Sequence, residues 1–403
     1  MKSRMTPYLI GLPACLIMIG NAHAIASPDD RFQPFIYAQI VHDSNLFRLS
    51  NNSTALSVLG TTNKDDTVQH YGAGFNANLP ISRQNIHADA TVDRSIYDTF
   101  SSLDNTGGKG KLAWNWRVGS LWNGDIGSDY SKMLSSFTEQ QSVQKDMITR
   151  KSTFATAGYQ LTPDWRISGG LKGADVNDQI FDQNDRKETT GSLEINYRTT
   201  ANTRIGIRDT NTDTNLLNDQ NVGGTLVNND YTTNSLSGVI YWEESGKSKF
   251  EGSLGQTTVK FDSLDARDFT GATWRLTYMY FATGKTHFDA SYWRNTSSQD
   301  GEISTYVVSN GISLAPSWAA TTKIHVGGLL KHEETDYKGD YSTISTGSDA
   351  RKDKINTVNI RLGYNLRQNI ELSLGYGYQK RTSNYAADEY KYNRLEGRIS
   401  IAF

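Results

Sequence analysis

Apolar and polar side chains alternate along this chain, most clearly at its C-terminus. The odd-numbered positions there are apolar or small and the even-numbered ones are polar: Leu395, Gly397, Ile399, Ile401 and Phe403 against Arg394, Glu396, Arg398 and Ser400. Successive side chains of a β-strand point to opposite faces, so this segment predicts a strand with one apolar and one polar face. The same period recurs at 112–118, 193–197, 272–280 and 370–378. The pattern predicts an all-β, antiparallel fold.

Turn and loop residues divide the chain into strands. Eight short turns fall near 80–83, 122–123, 162–164, 200–202, 244–246, 283–284, 316–317 and 367–368. Nine longer polar connections alternate with them, at about 48–66, 101–108, 139–148, 181–186, 215–230, 263–268, 298–302, 339–350 and 385–389. Short turns at one end and long loops at the other are typical of membrane barrels, whose strand number is even. We therefore predict a transmembrane antiparallel up-and-down β-barrel of about 18 strands, with about 16 as the alternative.

Aromatic residues and the C-terminal residue favour a membrane barrel over a soluble all-β sandwich or propeller. Aromatic side chains lie near the predicted strand ends, where interfacial girdles are expected: Phe100, Trp122, Tyr130, Trp165, Tyr197, Trp242, Phe281, Trp318 and Phe403. The terminal Phe403 also resembles the signal that the barrel-insertion machinery recognises. We therefore expect outer-membrane lipid and that machinery as partners, and the cell outer membrane as the location.

The N-terminus has the features of a secretory signal peptide, which we assign to residues 1–26. Lys2 and Arg4 precede an apolar stretch at 8–20, and alanines at 22, 24 and 26 allow cleavage after Ala24 or Ala26. A lipoprotein signal ending at Cys15 is the alternative. Cleavage after Ala24 or Ala26 leaves a mature chain without cysteine, and residues 27–403 would form the barrel.

The charge balance and the spacing of acidic residues argue against nucleic-acid binding and against a calcium site. The chain has 41 basic and 43 acidic residues, and this balance is too even to indicate a nucleic-acid partner. The loop acids Asp265, Asp268 and Asp300 lack the spacing of a calcium-binding EF-hand loop. We predict neither a metal nor another cofactor.

The interior of such a barrel is a candidate functional site. About 18 strands leave an aqueous lumen unless loops plug it. The alternation predicts these lumen-lining candidates: Arg117, Arg166, Arg198, Arg204, Arg208, Arg275, Arg361, Arg394, Arg398, Glu194, Glu371 and Glu396. The same criterion adds Lys172, Lys323, Lys331, Arg381, Asp89, Asp93, Asp125, Asp129, Glu251 and Asp289. Rings of charge set pore selectivity, and arginine binds carboxylates bidentately. The alternative is that these charges simply pair across strands.

Enzymatic activity is considered because some outer-membrane barrels are hydrolases. His42 and Ser44 are two residues apart, an arrangement that a base and a nucleophile could adopt. No oxyanion site, phosphate-binding glycine loop or zinc motif accompanies them in the sequence. We predict that the protein is not an enzyme.

The first predicted strand carries a resemblance to a known family. Residues 33–50 (QPFIYAQIVHDSNLFRLS) resemble the opening of the exopolysaccharide-associated outer-membrane proteins called EpsL, through Asp43, Ser44, Asn45, Leu46, Phe47 and Arg48, preceded by His42. The resemblance implies a role in exopolysaccharide biosynthesis or export, with periplasmic or inner-membrane partners, and no catalytic residues. From their polarity alone, these residues could seal the join with the last strand or anchor the first long loop.

Three functions are compatible with these observations. The resemblance implies a passive conduit for polysaccharide, driven by synthesis or pumping at the inner membrane. A general diffusion porin is the first alternative, and the long connections 48–66 and 215–230 could constrict its lumen. A plugged barrel with a structural or surface-anchoring role is the second.

Overall fold

The computed structural model describes residues 31–138, 143–201, 203–222, 225–263, 265–298, 306–338 and 350–403. The predicted signal peptide and Asp300 lie outside these residues. The strands are β1 (Phe32–Asp43), β2 (Asp66–Ile81), β3 (Gln84–Tyr97), β4 (Asn105–Val118), β5 (Trp122–Leu134), β6 (Met147–Gln160), β7 (Trp165–Asp178), β8 (Arg186–Arg198), β9 (Arg204–Leu216), β10 (Gln220–Val222), β11 (Thr225–Val227), β12 (Tyr231–Ser245), β13 (Ser248–Phe261), β14 (Phe269–Thr283), β15 (Thr286–Ser298), β16 (Tyr306–Trp318), β17 (Ile324–Lys338), β18 (Lys352–Arg367), β19 (Ile370–Ser383) and β20 (Tyr390–Ala402).

Eighteen of these strands form one closed antiparallel sheet. Each barrel strand pairs with the next along the chain, except that β9 pairs with β12 because β10 and β11 form a separate hairpin. The first and last strands close the ring, with Phe35 opposite Ala402 and Asp43 opposite Arg394. Closure satisfies the backbone hydrogen bonds that an open edge would leave unpaired. The predicted fold class and strand number are confirmed.

The two ends of the barrel differ as the sequence predicted. Eight short turns join the strands at one end, and nine longer connections join them at the other. Two predicted turns are displaced by a few residues. Trp122 begins β5 and the turn is 119–121, while Pro316 and Ser317 lie within β16 and the turn is 319–323. Lys323, which the alternation assigned to the lumen wall, consequently lies in that turn.

The strand register keeps the two faces separate around the ring. Ile36 lies opposite Ala73, which lies opposite Val92, and this outward face carries exposed Leu and Ile side chains. The neighbouring inward positions Tyr37 and Gly72 belong to the polar face. Paired residues on neighbouring strands point to the same face. The face of each residue in one strand therefore determines the face of its partner in the next strand.

An aromatic girdle lies at the short-turn end of the outward face. The ring centroids of Trp122 and Tyr159 are 4.5 Å apart, and those of Trp165 and Tyr197 are 5.0 Å apart. The assignment of two aromatic residues, Phe281 and Phe100, to the girdle was wrong. Phe281 occupies an inward position opposite His287, and Phe100 packs against Phe47 in the long loops.

The long-loop end has recurring local structure. Four connections contain a single 3-10 turn, at Ser101–Leu103, Asp182–Asn184, Asp265–Arg267 and Ala386–Asp388. In each, an acidic side chain just after the turn accepts the backbone N–H of the last residue of the preceding strand, as Asp104 does from Tyr97. The connection after β1 instead forms α1 (Asn52–Leu59), whose N-terminus is capped by Asn51. No helix within the described ranges is long and apolar enough to cross a membrane.

Candidate functional site

Twelve of the charged lumen candidates named from the sequence lie at inward-facing strand positions. They are Arg117 on β4, Arg166 on β7, Glu194 and Arg198 on β8, Arg204 and Arg208 on β9, Arg275 on β14, Arg361 on β18, Glu371 on β19, and Arg394, Glu396 and Arg398 on β20. Whether they contact a solute stays a prediction. Their positions define two arginine groups on different arcs of the wall.

The first arginine group lies near the short-turn end of β7 to β12. Arg208 donates hydrogen bonds to Glu194 and to the hydroxyl of Tyr241, so its charge is neutralised. The Arg204 guanidinium lies 4.9 Å from the centre of the Tyr241 ring. Arg166 lies over Gly158, where an added Cβ would stand 1.9 Å from its Nη2 atom. Glycine at 158 therefore provides the room that Arg166 occupies on the wall.

The second arginine group spans the seam where the barrel closes. Arg361 Nη2 donates to the Ser373 hydroxyl at 3.1 Å, and the Arg398 guanidinium lies 3.9 Å from the centre of the Tyr37 ring. Arg394 pairs with Glu396 at 3.2 Å. Glu371 is 3.5 Å from His325, whose imidazole lies over Gly363. The two glutamates of this group thus already have partners.

Four of these arginines have no ion-pair partner among the described residues. Among the described residues, Arg117, Arg166, Arg361 and Arg398 have no carboxylate within ion-pair distance. Glu194 and Glu396 pair with Arg208 and Arg394, and Glu371 lies 3.5 Å from the His325 imidazole. Simple cross-strand pairing, the alternative raised from the sequence, therefore accounts for only part of the wall. An unpaired guanidinium facing a lumen can bind an anionic solute group.

The first-strand motif connects the end of β1 to the last strand, β20. Asn45 donates from Nδ2 to the backbone oxygen of Lys391 on β20 at 3.1 Å and to that of Leu49 at 2.8 Å. Its Oδ1 accepts the Leu49 N–H, and the side chain is 2% exposed. Ser44 exchanges hydrogen bonds with the backbone of Asn393. Both roles suggested by the polarity of the motif, sealing the join and anchoring the first loop, are present.

The charged residues of the motif lock the same corner. Arg48 donates hydrogen bonds from Nη1 and Nη2 to the two oxygens of the buried Asp43 carboxylate, each at 2.8 Å. Its guanidinium also lies 3.5 Å from the centre of the Tyr392 ring. A bidentate pair of this kind is directional, and it orders the loop directly after β1. Arg48 holds this position with a left-handed backbone (φ 58°). His42 contacts Thr67, and the Ser44 hydroxyl is engaged at the seam, so both residues have contacts in the barrel wall.

Asn45→Ala is expected to destabilise the folded barrel by about 1–3 kcal/mol, because it leaves buried backbone groups of Leu49 and Lys391 without a partner. Urea unfolding of the protein in detergent micelles measures this change. Asn52→Ala, an exposed asparagine at the start of α1, serves as the control and should change the unfolding free energy by less than about 0.5 kcal/mol. Equal effects of the two substitutions would contradict the role of Asn45.

Three long loops pack together above one side of the lumen. Loop 1 (44–65), loop 2 (98–104) and loop 3 (135–146) share an apolar cluster that also includes strand residues. The Phe47 ring lies 4.8 Å from those of Phe100 and Phe137, one on each neighbouring loop. The cluster contains Leu46, Phe47, Leu49, Ala55, Val68, Tyr97 and Leu103. Val68 and Tyr97 occupy inward positions of β2 and β3, so the cluster lies on the lumen side of these strands.

A network of charged side chains at the long-loop ends of β18 and β19 holds loop 3. Arg381 on β19 donates to the backbone oxygen of Thr138 in loop 3 at 2.9 Å. Arg381 also approaches Asp353 at 3.7 Å and Asp388 at 3.8 Å, and Arg351 bonds both carboxylates. The alternation assigned Arg381 to the lumen wall, but it is 3% exposed. It therefore anchors the entrance loops instead of offering its charge to the lumen.

This network was absent from the sequence analysis. Its members come from β18 and the residue before it, from β19, and from the loops 135–146 and 384–389. No local spacing connects residues that are more than two hundred positions apart. The only available signal was the presence of charged residues at predicted strand ends.

An acidic pair lies at the base of loop 3. Burial raises the pKa of the Asp146 carboxyl to about 6, and the neighbouring Asp178 carboxylate adds to the rise. Asp146 accepts the N–H of Ile180, and Asp178 accepts those of Ile180 and Phe181. The two carboxyls therefore join the bases of two neighbouring long loops.

The described residues contain no group of three or more histidine, cysteine or acidic side chains placed to hold a metal ion. Asp268, one of the loop acids considered for calcium, accepts the N–H of Phe261. That contact closes the loop after β13.

Known structures share this architecture. OccK9 (OpdG) of Pseudomonas aeruginosa aligns with a TM-score of 0.50 and 10% identity, over 92% of this chain and 98% of its own. OpdK of Pseudomonas aeruginosa aligns with a TM-score of 0.48 and 11% identity, over 92% of this chain and 99% of its own. OccAB4 of Acinetobacter baumannii aligns with a TM-score of 0.49 and 10% identity, over 93% of this chain and 99% of its own.

At this identity the likeness concerns the fold. No protein-family model and no curated protein sequence matches the chain. These neighbours give no support to the EpsL resemblance in particular. The chain is a closed antiparallel β-barrel of 18 strands in the outer membrane, with a fold similar to that of the Occ/Opd porins.

Proposed function

We propose that this protein is a passive diffusion channel for small hydrophilic solutes, with a preference for anions. The observation that carries the proposal is the lumen wall of the 18-strand barrel, on which Arg117, Arg166, Arg361 and Arg398 remain without carboxylate partners among the described residues. A wall with unpaired cations raises the local concentration of anions. No energy source is needed, because diffusion follows the solute gradient.

The lumen also provides neutral polar and aromatic surface beside these cations. Tyr37 lies under Arg398 and Tyr241 under Arg204, so each guanidinium is held against a ring. At Arg398, such stacking fixes the position of the charge and occupies the face of the guanidinium, not the N–H groups at its edge. A solute with a carboxylate and hydroxyl groups suits this surface.

Planar-bilayer recording tests the proposal with Arg361→Gln/Arg398→Gln. We expect wild-type channels to prefer chloride over potassium and to be blocked by a uronic-acid oligosaccharide. The double variant should bind the blocker more weakly, on the order of fivefold for each charge removed. The control is Lys285→Gln/Lys323→Gln, which removes two exposed lysines in short turns and should leave the block nearly unchanged. Absence of conductance in wild type would refute the channel, and equal block in all three would refute the arginine site.

A role in polysaccharide export is the second candidate, favoured only by the resemblance of residues 33–50 to EpsL proteins. The motif residues that carry the resemblance close the barrel and anchor loop 1. An export conduit predicts that deleting the gene lowers secreted polysaccharide. A diffusion channel predicts unchanged secretion and slower uptake of small anions.

A further inference from the structure

The outer wall of the barrel has an unusual charge arrangement near the long-loop ends of β18 to β20. Lys380 on β19 lies directly opposite Lys391 on β20, and both side chains are exposed. Lys354 on β18 stands diagonally next to Lys380, because its direct partner Thr382 follows Lys380 by two positions. Like charges directly opposite each other on adjacent strands destabilise a sheet unless something neutralises them.

The neighbouring side chains do not supply that neutralisation. Lys354 pairs with Glu334 on β17 at 2.9 Å. Within the part of the chain that the structure describes, the ammonium groups of Lys380 and Lys391 have no hydrogen-bond or ion-pair partner. Two cations thus remain uncompensated on the outer wall, next to a third that has one carboxylate.

A comparable position elsewhere on the wall is arranged differently. Lys151 on β6 lies opposite Asp175 on β7, and Asp175 lies opposite Lys187 on β8. Two exposed lysines there flank an acid, so the charges alternate. The β18 to β20 wall has the same kind of residues at its outer rim without the intervening carboxylate.

The height of the two lysines places them at a membrane interface. From the short-turn end of β19 towards Lys380, the outward positions are first aliphatic and then aromatic: Ile370, Leu372, Leu374, Tyr376 and Tyr378. Ten residues separate Ile370 from Lys380, which corresponds to about 25 Å along the barrel axis for strands tilted by about 40°. The apolar band of an outer-membrane barrel is also about 25 Å tall. The long loops of such barrels face the outside of the cell, so the ammonium groups stand where outer-leaflet headgroups begin.

We propose that Lys380 and Lys391, assisted by Lys354, bind the phosphate groups of an outer-leaflet glycolipid. A phosphate between the two ammonium groups turns their repulsion into two attractions. The lysine stems can lie along the wall while their charged ends reach the headgroup layer. The tyrosines just below are the residues that favour this interfacial depth. The site is independent of what passes through the lumen.

Binding of lipid A with two phosphates to the detergent-solubilised barrel, measured by native mass spectrometry, tests the proposal. Lys380→Gln/Lys391→Gln should weaken binding about thirtyfold, since each basic residue near an anionic surface contributes on the order of 1 kcal/mol. The matched control Lys151→Gln/Lys187→Gln removes two outward lysines that flank an acid and should change the affinity by less than about threefold. Dephosphorylated lipid A should bind the wild type as weakly as phosphorylated lipid A binds the double variant.

Several outcomes would overturn the site. Equal loss in the two double variants would mean that general charge, and not this pair, attracts the lipid. Undiminished binding of dephosphorylated lipid A would remove the phosphate from the interaction. Inorganic phosphate binding as tightly as lipid A would show a simple anion site without a lipid. Lys380→Arg/Lys391→Arg keeps both charges and should retain binding, so a loss there that accompanies normal folding would also contradict the proposal.

Discussion

Phe47→Ala is expected to destabilise the external loops by about 3–5 kcal/mol and to raise the single-channel conductance. The Phe47 side chain is 1% exposed and contacts the rings of Phe100 and Phe137 on two other loops. Its removal leaves a cavity at the point where loops 1, 2 and 3 meet. Without the Phe47 ring between them, the loops should leave the entrance above β1 to β5 more often.

Limited proteolysis of loop 1 and bilayer recording measure these two effects. The control is Leu56→Ala on α1, whose side chain is 55% exposed, and it should alter neither loop cleavage nor conductance. If Phe47→Ala channels conduct like wild type while loop 1 is cleaved faster, the loops do not restrict the entrance. If cleavage is also unchanged, the apolar cluster does not hold the loops.

Asp353→Asn is expected to cost about 3–5 kcal/mol of folding free energy, because it removes the carboxylate shared by the buried Arg381 and the partly buried Arg351. Asp353 is fully buried, 2.7 Å from Arg351 and 3.7 Å from Arg381. Without its charge, Arg381 keeps only Asp388 as an acidic neighbour among the described residues. Loop 3, which Arg381 holds through the Thr138 carbonyl, should then detach.

Urea unfolding in micelles measures the stability, and current noise in bilayers reports the movement of loop 3. Asp262→Asn changes an exposed acid in the loop after β13 and should leave both quantities near wild type. Arg381→Met/Asp353→Leu removes an opposite pair of charges together and should be less harmful than Asp353→Asn alone. A double variant that is more unstable than the single one would argue against an uncompensated charge as the cause.

The errors of the sequence analysis have specific physical origins. Pro316 suggests a turn because proline lacks a backbone N–H, yet it lies in β16 opposite Gly328, at a place where the pairing with β17 is interrupted. Phe281 is apolar but faces inward, so its chemistry alone gives the wrong face. Arg381 has the correct parity for the lumen, but burial under loop 3 gives it a structural role.

The alternation of apolar and polar residues predicted the strands and the face of each lumen arginine, because side-chain direction in a strand follows position alone. The alternation of short turns with long loops predicted the even strand number. The polarity of the first-strand motif suggested contacts with the last strand or with the first long loop, and Asn45 contacts both. The tertiary structure alone decided which arginines are paired, how loops 1 to 3 meet, and that Lys380 faces Lys391. Those contacts join strands and loops distant in sequence, so their geometry depends on the closure and register of the whole ring.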